Sequence, residues 1–274
     1  MRKGDKQCAA IGTEFVLNKK QLNSLFDDAI DELEITYDVY FDIERYRPRC
    51  VHTMHRLLSS RIEGGKVLVL GSNEKPFTMM CEKLGFCAEG FSFNPTANNV
   101  NENENRTASS ATEIIKDMKG DFDIIICDDI LQNIQYPQDM LILLKEHIRP
   151  GGMLMLTTPN VARGTSRMWL LSGRNIYPLP SVSETQEGEV LRLIPYREYT
   201  LNEIERLVKD TGLELMQSEF IIGKNVNANM WPPMPVKEYF LQTIFLVVQK
   251  IAAPLRSYLF VAARNHLSEG EKVT

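Results

Sequence analysis

The stretch from Asp121 to Asn160, DFDIIICDDILQNIQYPQDMLILLKEHIRPGGMLMLTTPN, constrains the fold more than any other part of the chain. It reads as a strand (Phe122–Cys127), an acidic turn (Asp128, Asp129), a helix from about Pro137 to His147, a Pro-Gly-Gly turn and a second strand (Met153–Thr157). The run IIIC does not alternate apolar with polar residues, the pattern of a strand covered on both faces. Two such strands joined by a helix make a parallel βαβ unit with a right-handed crossover. Ligands on parallel sheets collect at the carboxyl ends of the strands. Here those ends carry Asp128-Asp129 and Thr157-Thr158-Pro159-Asn160.

The flanking sequence extends this unit. Lys19 to about Ser60 is helical in pattern, with Pro48 expected to divide it. KVLVLG (Lys66–Gly71) is a strand, Pro76 to about Leu84 a helix closed by Gly85, and Phe86–Phe93 a second strand. An Asn-rich stretch and a short helix near Ala111–Met118 lead into the central unit. After Asn160 comes a long aperiodic region of the kind that forms lids. Thr200 and Glu203 form a capping box for a helix over Leu201–Lys209. Strand Leu213–Ile222, a helix near Val236–Ala252 and strand Ser257–Ala263 complete the order. It predicts an α/β fold, doubly wound. An N-terminal helical cap is expected over residues 1–60, an α/β domain over 61–274, and a lid insertion at about 161–198.

A net charge of −5 over 274 residues offers no basic field to nucleic acid. Arg45, Arg47, Arg49, Arg163, Arg167 and Arg174 are mixed with acids and read as a solvated surface. Cys8, Cys50, Cys81, Cys87 and Cys127 are odd in number and lack CxxC spacing, which predicts reduced thiols in a cytoplasmic protein. No apolar N-terminal region marks a signal peptide. The apolar run Tyr239–Val248 is too short to span a bilayer. It predicts a helix that packs in the core or closes a homo-oligomer, with peripheral membrane contact the less favoured reading. His52 and His55 share a helical face without further ligands, so a surface or lid-packing role is expected and no metal.

Gly71 ends the first strand just before a helix, where nucleoside cofactors lie against parallel sheets. GSNEKP is not GxGxxG, and a nicotinamide dehydrogenase fails for want of that glycine-rich turn. The segments KVLVLGSNEKPFTMMCEKLG, FDIIICDDILQNI, IRPGGMLMLTTPNVAR, LLSGRNIYP and REYTLNEIERLVKDTGLEL, in that order and spacing, resemble the class I S-adenosylmethionine-dependent methyltransferases. The likeness covers roughly Lys66 to Leu215 and is nearest to a bacterial-type subgroup acting on small molecules or glycans. It implies a Rossmann-like seven-stranded sheet with the last strand antiparallel, S-adenosyl-L-methionine over the first strand, and an acceptor beneath a lid.

Carried onto this chain, the resemblance implies that Gly71, Ser72 and Asn73 pass the methionine and ribose of the cofactor. Ser92, with Asn94 near it, stands where the family has an acid gripping the ribose hydroxyls. Asp128 and Asp129 fall beside the methionine moiety, and Asn160 near the acceptor. Arg163, Arg174, Tyr177, Tyr196 and Arg197 are the further acceptor-side candidates. The chain departs from the pattern in four places. The later glycines of the first turn are missing, Ser92 replaces the acid, Gln132-Asn133-Ile134 replaces Glu-His-Leu, and no His precedes REYT. A neutral partner for the ribose lowers affinity ~10-fold, because hydrogen bonds to charged groups contribute more. An alcohol acceptor also requires a base, and Asp128, Asp129, His52 and His55 are the candidates. Two functions follow: a methyltransferase of a small-molecule or glycan-type acceptor, or a catalytically degenerate relative that serves as a binding or assembly partner.

Overall fold

The computed structural model describes residues 17–33, 37–60, 62, 65–71, 74–92, 115–116, 118, 120–177, 182–185, 188–191, 197–223, 247 and 249–266. Strands β1 (Lys66–Gly71), β2 (Cys87–Ser92), β3 (Phe122–Asp128) and β4 (Ile148–Pro159) pair in parallel. β5 (Val182–Thr185) and β6 (Gly188–Leu191) form a separate hairpin within the expected lid. β7 (Glu214–Ile221) and β8 (Tyr258–Arg264) complete a sheet of order β2-β1-β3-β4-β8-β7, in which β8 runs antiparallel to both neighbours. The Rossmann-like sheet with an antiparallel last strand is thus present, with six strands among the described residues against the seven expected.

The helices are α1 (Lys19–Glu32), α2 (Tyr37–Ser59), α3 (Glu74–Lys83), α4 (Pro137–Glu146), α5 (Gly164–Leu171) and α6 (Leu201–Asp210). Successive residues of a strand point to opposite faces, and β3 shows why IIIC is apolar throughout. Ile125 and Cys127 join one core with Leu154, Leu156 and, from α4 and α6, Met140, Leu144, Ile204 and Val208. Ile124 and Ile126 join the other with Met153, Met155 and, from α1, α2 and α3, Phe26, Met54, Phe77 and Met80. Each fully buried isoleucine contributes about 1.5–3 kcal/mol by leaving water.

Several expectations are corrected. Pro48 does not divide the N-terminal helix but lies inside α2; a proline removes one backbone donor and bends a helix without necessarily ending it. The Pro-Gly-Gly segment is not a free turn but part of β4, at an irregularity in its pairing with β3. A Cβ at Gly152 would lie 2.8 Å from the Asp123 carbonyl oxygen, so the close approach there requires glycine. Arg47 and Arg49 are buried and not part of a solvated surface. Cys50, Cys81 and Cys127 are free and buried, and burial pushes the Cys81 thiol up to about 12. Cys87 is disulfide-bonded, against the expectation of reduced thiols. Local spacing tests only local pairs, and a disulfide can join residues far apart in sequence. The helices expected near Ala111–Met118 and Val236–Ala252 lie mostly outside the described residues. No helix among the described residues is long and apolar enough to cross a membrane.

Candidate functional site

The strand register aligns Ser92, Gly71, Asp128, Thr157, Phe260 and Glu219 in one row across all six strands. Ser92, Gly71 and Asp128 are also the last residues of their strands, so the row marks the carboxyl end of the sheet. Gly71 is tight against β3: a Cβ there would stand 2.8 Å from the Asp128 carbonyl oxygen. Any side chain would push β1 and β3 apart at this point.

Asp128 is fully buried, and α2 supplies its counter-charge. Arg49 Nε donates to Asp128 Oδ1 at 3.0 Å and an Arg49 terminal nitrogen donates to Oδ2 at 3.3 Å. Thr157 Oγ1 also donates to Oδ1. The guanidinium lies over the rings of both Tyr46 and Tyr258, 4.3 and 4.6 Å from their centroids. Burial pushes the Asp128 carboxyl above its ordinary range, while Arg49 pulls it back. Burial also works against the Arg49 charge, but Asp128 and Asp129 outweigh it and hold its pKa above the usual arginine value. Arg49 donates to both oxygens and Thr157 to one, so every contact uses Asp128 as an acceptor, the geometry of an ion pair.

Asp129 follows with a φ of 60°, a left-handed conformation that strains a residue with a Cβ. Its peptide N–H donates to the Thr157 carbonyl at 3.0 Å, which holds the turn against β4. One carboxylate oxygen, Oδ2, lies 3.0 Å from an Arg49 nitrogen. The other, Oδ1, is buried with no hydrogen-bond donor. A buried carboxylate oxygen left open is costly, and an amine or hydroxyl of a ligand would satisfy it. Gln132 braces the same turn by donating to the Asp129 carbonyl at 2.7 Å and accepting from Thr158 Oγ1 at 3.2 Å.

The other predicted residues divide into groups. Ser92 is exposed at the end of β2. Ser72, Asn73, Asn94 and Tyr196 lie outside the described residues. Asn160 is buried, and its amide donates to the carbonyls of Pro254 (3.0 Å) and Arg256 (2.8 Å) while its oxygen accepts from the Ala162 N–H (3.0 Å). Arg163 pairs with Glu198, whose N–H donates to the Tyr177 hydroxyl at 2.9 Å, so these three stand together beside Asn160. Arg197 is exposed, pairs with Glu203 and lies over the Tyr199 ring; Arg174 is exposed just past the end of α5. Glu203 also accepts from the Thr200 N–H (2.8 Å), the expected capping box.

Neither histidine reaches the Asp128 turn. His52 Nε2 lies 2.8 Å from Glu219 Oε2, without hydrogen-bond geometry, at the outermost strand of the row. Its ring meets Phe260 edge-on at 5.0 Å. Burial pushes His52 down to about 4 despite Glu219, whose charge is already met by Arg56. His55 is also lowered, chiefly by burial. A cavity of about 620 Å³ lined by Lys19, Arg47, His52, Arg56, Glu219 and Arg256 lies at this end of the row and not over Gly71.

Sequence reasoning missed Arg49, the residue that organises the site. A signal was present: Cys50, Thr53, Met54 and Leu57 repeat at helical spacing and are buried, and Arg49 continues that stripe at its amino end. Nothing in the local sequence names a partner 79 residues away.

The comparisons bear on the fold and the family. The structure of an S-adenosylmethionine-dependent methyltransferase from Archaeoglobus fulgidus superposes with a TM-score of 0.50 at 14% identity, covering 84% of this chain and 100% of its own. One from Mesorhizobium loti gives a TM-score of 0.46 at 11% identity, over 82% and 99% of the two chains. A Burkholderia thailandensis 1,6-didemethyltoxoflavin-N1-methyltransferase, solved with bound 1,6-didemethyltoxoflavin and S-adenosylhomocysteine, gives a TM-score of 0.46 at 14% identity over 94% of each chain. No curated protein matches the sequence. The family model for the methyltransferase domain matches residues 43–218, a span that holds Arg49, Gly71, Asp128 and Asp129, and the chain belongs to that family.

Proposed function

We propose that this chain is an S-adenosylmethionine-dependent methyltransferase whose acceptor is a small molecule or a glycan-type compound. The observation that carries the reading is the Asp128–Asp129 turn packed against Gly71, with Asp129 Oδ1 buried and open at the carboxyl end of the sheet. S-adenosylmethionine, when bound, supplies a methyl group activated on a sulfonium. The protein contributes alignment, which lowers the barrier by several kcal/mol. In this reading Gly71 leaves the end of β1 bare so that a ligand can approach the backbone. Arg49 holds both aspartates in register, and Asp129 Oδ1 accepts from an amine or hydroxyl. Of the four candidate bases Asp129 is the one we assign, because Arg49 and Thr157 already occupy the oxygens of Asp128 and the histidines stand near Glu219. Arg163, Tyr177 and Asn160 shape the acceptor side, with Arg174, Tyr196 and Arg197 as its outer contacts.

The second reading, a degenerate relative acting as a binding partner, is favoured by exposed Ser92 in the place of the ribose-binding acid. Calorimetric titration with S-adenosylmethionine and with S-adenosylhomocysteine, using Gly71→Arg as control, separates the two. Micromolar binding that Gly71→Arg abolishes supports the enzyme. No heat at millimolar ligand sinks it and leaves the partner reading.

A further inference from the structure

Helix α5 breaks the rule that a surface helix hides an apolar stripe. Of its residues Gly164 and Ser166 are buried, while Met168, Trp169, Leu170 and Leu171 stand exposed in succession, the last three at 46%, 58% and 88%. Four successive residues wrap most of a helix's circumference, and the last turn of this one leaves all four to solvent. An exposed apolar patch of this kind marks a contact surface.

The surroundings of the patch say what it contacts. Arg167 and Arg174 flank it, both are exposed, and neither meets a carboxylate among the described residues. The helix closes in a Schellman turn: the Gly173 N–H donates to the Leu170 carbonyl and the Arg174 N–H to the Trp169 carbonyl at 2.8 Å. That turn folds the Arg174 backbone back over the Trp169 turn. Tryptophan and leucine with adjoining arginines are the composition of a segment that lies in a membrane interface, where the ring and aliphatic chains enter the acyl boundary and the guanidinium groups reach the headgroups. A second exposed apolar pair, Val247 and Ile251, the latter 80% exposed, precedes the turn at Ala253–Leu255. Asn160 ties both segments to the end of β4, since its side chain binds Pro254 and Arg256 on one side and the Ala162 N–H on the other.

We infer that this face docks peripherally on an anionic phospholipid surface through Trp169, Leu170 and Leu171, with Arg167 and Arg174 against the headgroups. The surface adjoins the Arg163–Tyr177–Glu198 cluster, so an acceptor carried in that bilayer, an amphiphile with its polar part at the interface, meets the protein at the acceptor side. This last step rests on the methyltransferase reading; the docking itself does not.

The test is co-sedimentation of the full chain with vesicles of phosphatidylcholine and of phosphatidylcholine mixed with phosphatidylglycerol. Binding is expected to the mixed vesicles and to fall about tenfold in Leu171→Glu, whose exposed site tolerates the change. Arg167→Gln with Arg174→Gln is expected to remove the preference for phosphatidylglycerol, at roughly fivefold per arginine. In a Trp231→Phe background, Trp169 fluorescence shifts to the blue on binding. Absence of binding to the mixed vesicles, or binding that Leu171→Glu leaves intact, overturns the proposal. So does a dimer in solution that Leu171→Glu converts to monomer, which would assign the patch to a second copy. S-adenosylhomocysteine titration of Leu171→Glu runs in parallel: retained cofactor binding with no vesicle binding by wild type sinks the docking alone, and the reverse result sinks the enzyme alone.

Discussion

Helix α2 sends two arginines, two turns apart, to carboxylates in the same row of the sheet, and the two pairs differ in one respect. Arg49 and Asp128 are 2% and 0% exposed at their side chains, whereas Arg56 and Glu219 are 27% and 26% exposed. Water screens the second pair, and removing one of its members leaves a charge that can be hydrated. Around the first, water is excluded, and removing one member leaves an ion with nothing to compensate it. The same chemistry is therefore an ornament at the edge of the row and a structural necessity in its middle. The buried pair is also the one beside a strained residue with an open oxygen, Asp129. Burial thus separates the candidate site from a surface ion pair that looks identical in sequence.

The comparison breaks if Arg49→Met proves mild. Loss of the buried guanidinium is expected to reduce stability by about 3–5 kcal/mol in urea unfolding, and Arg49→Met with Asp128→Leu to recover most of it. A single substitution as harmless as Arg56→Gln would refute the assignment. Acid sharpens it from the other end of the row. His52 titrates at about 4 in the fold against an ordinary 6.5, so the unfolded chain binds the proton more tightly. Its contribution is fully present above pH ~6.5 and is lost as the pH falls from there towards ~4, by up to about 3 kcal/mol. His52→Gln is expected to flatten that part of the stability–pH curve. Gly71→Ala brings a methyl group against the Asp128 carbonyl and is expected to lower stability by about 1–3 kcal/mol, with weaker S-adenosylhomocysteine binding. Asp129→Gly relieves the positive φ, so stability should change by under ~1 kcal/mol while affinity for S-adenosylhomocysteine falls; unchanged affinity would take Asp129 away from the cofactor and leave it to the acceptor alone. Arg56→Gln, the smallest effect, should shift stability by no more than about 1 kcal/mol and leave ligand binding intact.

The continuous apolar run Ile124–Cys127 by itself determined a strand covered on both faces, and helical spacing with the Thr200–Glu203 box fixed where α6 begins. Local patterns of this kind are legible because propensity, capping and burial period act over a few neighbouring residues. They also put Gly71 and Asp128-Asp129 at strand ends, where a ligand belongs. Only the tertiary structure decided that Arg49 reaches Asp128, that Asp129 keeps one oxygen open, and that Asn160 ties the turn before β8 to the start of α5. It also left Trp169, Leu170 and Leu171 uncovered, in a region whose sequence shows no period. The charge of an arginine and the apolarity of a leucine are written in the sequence. Whether water reaches them depends on segments far away in the chain, and that access sets both the strength of an ion pair and the meaning of an apolar patch.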